Sequence, residues 1–191
     1  LRFNGGVPGV ATLLASVGGG FGEVTNPHGL AIDGNFNLYI TDRLASRVLR
    51  IQNANTVTLP NLGIPVAQPG NGLSPGQVQS PTGVGVDNDG NLYVADTGND
   101  RILMFFRGNA GPATLIASGG SNLGEVIQPE GVTVTRFVLG PESGRRNLVV
   151  GNSGNHRIES REFGSSVWKL VGTPNLFGSA VGQFNYPSKI R

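Results

Sequence analysis

The reading of the fold turns on Pro81–Phe106, PTGVGVDNDGNLYVADTGNDRILMFF. An apolar run with Val84 and Val86 stops at Asp87-Asn88-Asp89-Gly90, a turn signal. A second run, Leu92 to Ala95, stops at the polar turn Asp96 to Asn99, and a third, Ile102 to Phe106, closes the stretch. Short β-rich runs between tight turns predict consecutive antiparallel strands. Gly90 supplies a backbone angle that other residues adopt only at a cost.

The pattern recurs. Pro27–Ile51 reads PHGLAIDGNFNLYITDRLASRVLRI. It keeps the Pro-to-Asp interval (27 to 42, 81 to 96) and the Asp-to-Arg interval (42 to 47, 96 to 101). A third copy starts at Pro129 (PEGVTVT) and resumes at Asn147 (NLVVGNSGNHRIES), with Asn152 in the Asp place and Arg157 in the Arg place. A fourth starts at Pro187. The repeat prolines thus stand at 27, 81, 129 and 187, a long and nearly even period that signals a propeller or a solenoid.

The stretch PTGVGVDNDGNLYVADTGNDRI resembles an NHL repeat, the blade unit of a β-propeller family. The resemblance implies an all-β propeller of four-stranded antiparallel blades, and it covers nearly the whole chain. Blades are expected at 27–60, 81–118 and 129–171, with partial blades at 1–16 and 187–191. Strands are expected near 29–33, 37–41, 47–51 and 56–60; near 83–87, 91–95, 101–106 and 113–118; and near 131–139, 147–151, 157–161 and 166–171. The connection 61–80 reads as a long loop, and 136–146 as an insertion in the first hairpin of the third blade. ATLLAS (Ala11–Ser16) and ATLIAS (Ala113–Ser118) stand at the same interval before their prolines (11 to 27, 113 to 129), which marks a fourth, outermost strand. The family usually has about six blades, so ring closure here would need self-association or a longer parent chain.

Composition narrows the function classes. The chain has 191 residues, 31 glycines, 12 prolines, 14% charged residues and a net charge of +2. So small an excess of positive charge is a poor basis for nucleic-acid binding. With no cysteine there is no disulfide framework, thiolate metal site or thiol nucleophile. No apolar run approaches the roughly 20 residues of a membrane span. Low charge with Gly/Asn/Ser/Thr richness leans toward an exported, extracytoplasmic bacterial protein.

Four alternating strands put the four-to-one and two-to-three connections on one end of the ring. The pairs Asp42/Arg47, Asp96/Arg101 and Asn152/Arg157 are read as structural repeat positions, because a scaffold needs the same residues in every blade whereas a site needs different ones. Residues that differ stand just after each repeat proline: His28, Thr82, Glu130 and Ser188. They are the candidate ligand-binding residues, at the mouth of the central channel. Asn88–Asn91 has a faint likeness to a calcium loop but lacks its distal glutamate, and reads as a hairpin turn. No catalytic residue, cofactor or metal site is assigned.

The favoured function is a non-catalytic binding or scaffold propeller that contacts a protein, peptide or glycan through its long-loop face. The alternative is a metal-dependent lyase or lactonase. The similar peptidyl amidating lyases hold zinc by histidines at the place of His28, and gluconolactonase-type lactonases use a glutamate that Glu130 could match. One His and one Glu fall short of the three protein ligands of a catalytic zinc site. A second alternative, RNA binding, rests on Arg43, Arg47, Arg50, Arg145 and Arg146. His156 is read as a turn residue. Trp168 is read as packing against a blade.

Overall fold

The computed structural model describes residues 16–18, 23–54, 63–69, 74, 76–136, 146–172 and 183–188. Among them the chain is all β, apart from three single-turn 3-10 segments at Thr97–Asn99, Phe106–Gly108 and Ser153–Asn155. No helix among the described residues is long and apolar enough to cross a membrane.

The short strands β1 (Ser16–Val17) and β2 (Glu23–Val24) pair in parallel. Three sheets follow one another, each a meander. The first holds β3 (Pro27–Ile32), β4 (Leu38–Asp42), β5 (Arg47–Ile51) and β6 (Ile64–Pro69) in that order, with β7 (Gln77–Val78) added parallel to β6. The second holds β8 (Val84–Val86), β9 (Leu92–Asp96), β10 (Arg101–Phe105) and β11 (Thr114–Ala117). The third holds β12 (Pro129–Arg136), β13 (Arg146–Asn152), β14 (Arg157–Glu162) and β15 (Trp168–Val171). These are the four-stranded antiparallel blades of a β-propeller.

One expected element moves. The strand expected at 56–60 lies outside the described residues, and the fourth strand of the first blade is Ile64–Pro69, within the stretch read as a loop. Val66 and Ala67 are buried on it. Pro65 is tolerated at the register shift in the pairing with β5, and Pro69 at the end of the strand, past the last residue paired with β5. The blade therefore runs to residue 69 rather than 60. The partial blade 1–16, apart from Ser16, lies outside the described residues, as do 137–145 of the insertion and 189–191.

The hairpins between first and second strands are built alike. Asp33 accepts hydrogen bonds from the Asn35 and Asn37 amides, the Asn37 side chain and the Tyr39 hydroxyl. Asp87 does the same with Asp89, Asn91 and Tyr93. Burial and the neighbouring aspartate push the Tyr39 hydroxyl up to about 12. The Asp33 and Asp87 carboxylates serve their turns, while Asp89 pairs with Arg146.

Apolar residues alternate between the two faces of each blade and fuse neighbouring blades. Tyr39, Val48, Val66 and Ala67 of the first blade pack with Val84, Leu92, Val94, Leu103 and Phe105 of the second. Tyr93, Ala95, Ile102 and Ala117 of the second pack with Val132, Leu148 and Val150 of the third, and Trp168 packs onto that cluster. Ile40 and Ile51, on the far side of the first blade, form a smaller cluster with Ala54.

Candidate binding pocket at the inner strands

The inner strands β3, β8 and β12 lie side by side, and glycine sets how close. A Cβ on Gly29 would stand 2.3 Å from the Thr82 carbonyl oxygen, and one on Gly83 would stand 2.6 Å from that of Glu130. Both distances are below any real contact, so each first strand approaches the next blade through a missing side chain. Hydroxyls then fasten the contact. Thr41 donates to the Thr82 carbonyl at 2.7 Å, Thr97 to the Pro129 carbonyl at 2.7 Å and Ser153 to the Pro187 carbonyl at 2.8 Å. Each donor sits beside the Asp or Asn that ends a second strand, and each acceptor is the repeat proline of the following repeat or the residue after it.

The Asp/Arg pairs clamp the loop that enters each blade. Asp42 accepts from the Thr25 amide at 3.0 Å, Asp96 from the Gln79 amide at 2.6 Å, and Asn152 from the Ile127 amide at 2.9 Å. These three amides all stand two residues before the repeat proline. The arginines reach the carbonyl four residues before it: Arg47 to Glu23 at 2.8 Å, Arg101 to Gln77 at 2.8 Å and Arg157 to Glu125 at 3.1 Å. The aspartate thus holds the incoming loop, and Asp96 also accepts from the Asn99 side chain of the tight turn.

The third blade solves the charge differently. Asn152 is neutral, and the carboxylate comes from Glu159, 0% exposed, which Arg157 and the Asn152 amide both contact. Glu159 takes the core position that Leu49 and Leu103 hold in the other blades, two residues past the arginine. Burial pushes its carboxyl up, while Arg157, the Gly124 amide and Asn152 pull the other way.

The four residues after the repeat prolines, His28, Thr82, Glu130 and Ser188, line one pocket of about 370 Å³ with Gly29, Leu30, Gly83, Val84, Gly131 and Val132. Repeat positions one, two and three after the proline thus give a varied polar rim, a glycine layer and an aliphatic layer. The four rim residues are not equivalent. The Thr82 hydroxyl is buried and spent on Thr97 at 2.6 Å and the Glu130 carbonyl at 3.0 Å, so Thr82 holds blades together. His28 is exposed, and Glu130 and Ser188 are half-buried. No described residue bonds the Glu130 carboxylate.

Other candidates are placed elsewhere. Of the arginines considered for RNA, Arg47 pairs with Asp42, Arg50 bonds the Gly108 carbonyl and Asn109 of the next blade, and Arg146 pairs with Asp89. Arg43 stays exposed, and Arg145 lies outside the described residues. His156 packs edge-on against Tyr186 at 4.3 Å. Trp168 carries Arg161 over its ring at 5.1 Å and closes on Gly124, so it packs rather than binds. Among the described residues no three His, Asp or Glu side chains form a metal-holding group. His28 and Glu130 alone do not fit a catalytic zinc. The glycine and aliphatic layers, the hydroxyl fasteners and Glu159 were missed from the sequence. The recurring triplet PHG, PTG, PEG was the available signal for the first two.

Residues 78–105 match the NHL repeat. No curated protein matches the chain. Among solved structures, it is similar to an auxiliary nutrient binding protein from Bacteroides ovatus (TM-score 0.63, 11% identity, 88% of this chain and 43% of that one). It is also similar to a chain of a nidogen/laminin complex (TM-score 0.55, 18% identity, 78% and 49%). A third is virginiamycin B lyase from Staphylococcus aureus (TM-score 0.52, 15% identity, 78% and 43%). The chain spans less than half the length of each of these. At such identities the likeness is one of fold.

Proposed function

We propose that this NHL-repeat β-propeller chain is a non-catalytic binding module whose ligand, a protein segment, peptide or glycan, seats in the pocket at its inner strands. The observation that carries the reading is the convergence of His28, Glu130 and Ser188, which differ at equivalent repeat positions, on one pocket. The residues repeated in each blade are spent on the scaffold. A pocket of about 370 Å³ with an aliphatic layer and a few polar groups has the make-up of a small-ligand site.

Leu30 lines the pocket and is 65% exposed, so Leu30→Trp fills it without opening the core. Ligand-observed NMR against a library of short peptides and oligosaccharides is expected to find binders that Leu30→Trp loses, at an unchanged melting temperature. Binders that the variant retains would put the site elsewhere. The second reading, a metal-dependent lyase or lactonase, draws on His28 and Glu130 facing the same pocket. Metal analysis of the purified protein and of His28→Ala separates the two: a stoichiometric divalent metal, lost in the variant, would favour the enzyme.

A further inference from the structure

We propose that the seam between the second and third blades docks an acidic side chain of a partner protein, its carboxylate on the Arg161 guanidinium. Arg161 does not line the inner-strand pocket, so this surface stands whatever that pocket binds.

Four residues past the repeat arginine, the first and second blades place Ile51 and Phe105, 1% and 0% exposed. The third places Arg161 there. Arg161 stands opposite Leu148 on one side and Trp168 on the other, so all three share the face that packs on the second blade. A charge in an apolar position loses solvation. Burial pushes the Arg161 guanidinium down from its ordinary value, with Tyr93 acting the other way.

The nearby carboxylates are already engaged. Glu159, on the same face, is held by Arg157, the Asn152 side chain and the Gly124 amide. Asp89 pairs with Arg146, and Asp87 serves its own hairpin. Arg161 makes no hydrogen bond or ion pair among the described residues. Its guanidinium lies over the Trp168 ring at 5.1 Å, which covers one face and leaves the donors along its edge free. The buried polar atoms without a partner among the described residues are Arg50 Nε and Asn147 Nδ2, so the Arg161 nitrogens are open to solvent.

The surroundings suit a protein partner. Met104, Ile116, Phe163 and Trp168 are only half-buried along this seam, whereas Tyr39, Leu103 and Phe105 are buried in the seam before it. Half-buried methionine and aromatic residues around an arginine are the composition of a contact centre between proteins. A single carboxylate matches the guanidinium fork. A phosphate dianion would add repulsion from Asp87 and Asp89, which lie against Tyr93 and Arg146 on the same seam.

NMR of the isotope-labelled whole chain tests this through the Arg161 Nε–H signal, identified by its loss in Arg161→Met. The probes are acetyl-Leu-Glu-Leu-amide, its Gln analogue and inorganic phosphate. The Glu peptide is expected to move the signal saturably, and the Gln analogue to bind at least about fivefold more weakly. Arg161→Met keeps the stem and removes the charge. It is expected to lose the preference for Glu and to melt at or above the native temperature, because a charge kept for a partner works against the fold. Leu30→Trp, which fills the inner pocket, is expected to bind the Glu peptide as the native chain does. No saturable shift at roughly 10 mM Glu peptide would overturn the proposal. So would a lower melting temperature in Arg161→Met, which would make Arg161 a residue of the fold. Phosphate bound more tightly than the Glu peptide would overturn the carboxylate assignment, and loss of the Glu peptide in Leu30→Trp would move the site to the pocket.

Discussion

At the scale of single residues, the Asp-to-Asn change at position 152 shows that a repeat can relocate a charge. Glu159 does for Arg157 what Asp42 and Asp96 do for their arginines, from a place where the other blades keep leucine. Removing it strands a buried guanidinium, so Glu159→Leu is expected to cost about 3–5 kcal/mol in urea unfolding. The double variant Asn152→Asp/Glu159→Leu rebuilds the arrangement of the first two blades and is expected to recover most of that loss. A double variant no better than the single would break the equivalence. The pH dependence has a definite sign. A carboxyl whose folded pKa is raised binds its proton more tightly when folded. Its contribution is therefore best below the unfolded value and declines as pH rises through the folded one. Measured against Glu159→Gln, wild-type stability is expected to fall as pH climbs above about 4.5. Phe36 offers a second test. It holds φ 60° at the hairpin place where the second blade has Gly90 at φ 84°. Phe36→Gly is expected to stabilise by about 1 kcal/mol, since a bulky side chain is strained there.

At the scale of elements, repeat arithmetic made most strands readable, and one lapse in it is instructive. ATLIAS occupies 113–118 ahead of Pro129; carried back to Pro81, the same offset gives 65–70, and the strand is Ile64–Pro69. The prolines at 65 and 69 argue only against an unbroken central strand, and they fall at a register shift and at the strand's end. The rim of the pocket was readable for the same reason, since equivalent positions in successive blades must meet at one end of the ring. That the Thr82 hydroxyl is spent on the next blade was not, because the bond depends on how closely two first strands approach. Glycine sets that approach. Gly83→Ala is expected to cost about 2–3 kcal/mol by driving a methyl into the Glu130 carbonyl. Gly34→Ala, with nothing within 4 Å, is expected to be neutral or slightly stabilising. Thermal melts of the pair check both.

At the scale of the whole molecule, the two sides of the first blade differ. Its side toward the second blade is closed. On the other side Leu30 and Ile32 are 65% and 55% exposed, while Val84 and Val132, the counterparts of Leu30, are 8% and 3% exposed under a preceding blade. An aliphatic sheet face of this kind favours association. The isolated 191-residue chain is expected to exceed monomer mass by light scattering, and Ile32→Glu to reduce it. Equal masses would place the contact elsewhere. The charge pattern, by contrast, looks inward: among the described arginines, Arg47, Arg50, Arg101, Arg146 and Arg157 hold loops or neighbouring blades, which is why clustered arginines in the sequence were a poor guide to a binding surface.

The hydroxyl fasteners also run one way. Thr41, Thr97 and Ser153 each reach forward to a carbonyl of the next repeat, while the backward contacts of Thr41 and Thr97 stay within their own blade. During synthesis, then, every blade leaves the ribosome with its donor in place and its acceptor not yet made. A blade waits, open on one side, until the opening strand of its successor emerges to secure it, and the order of translation becomes the order of assembly.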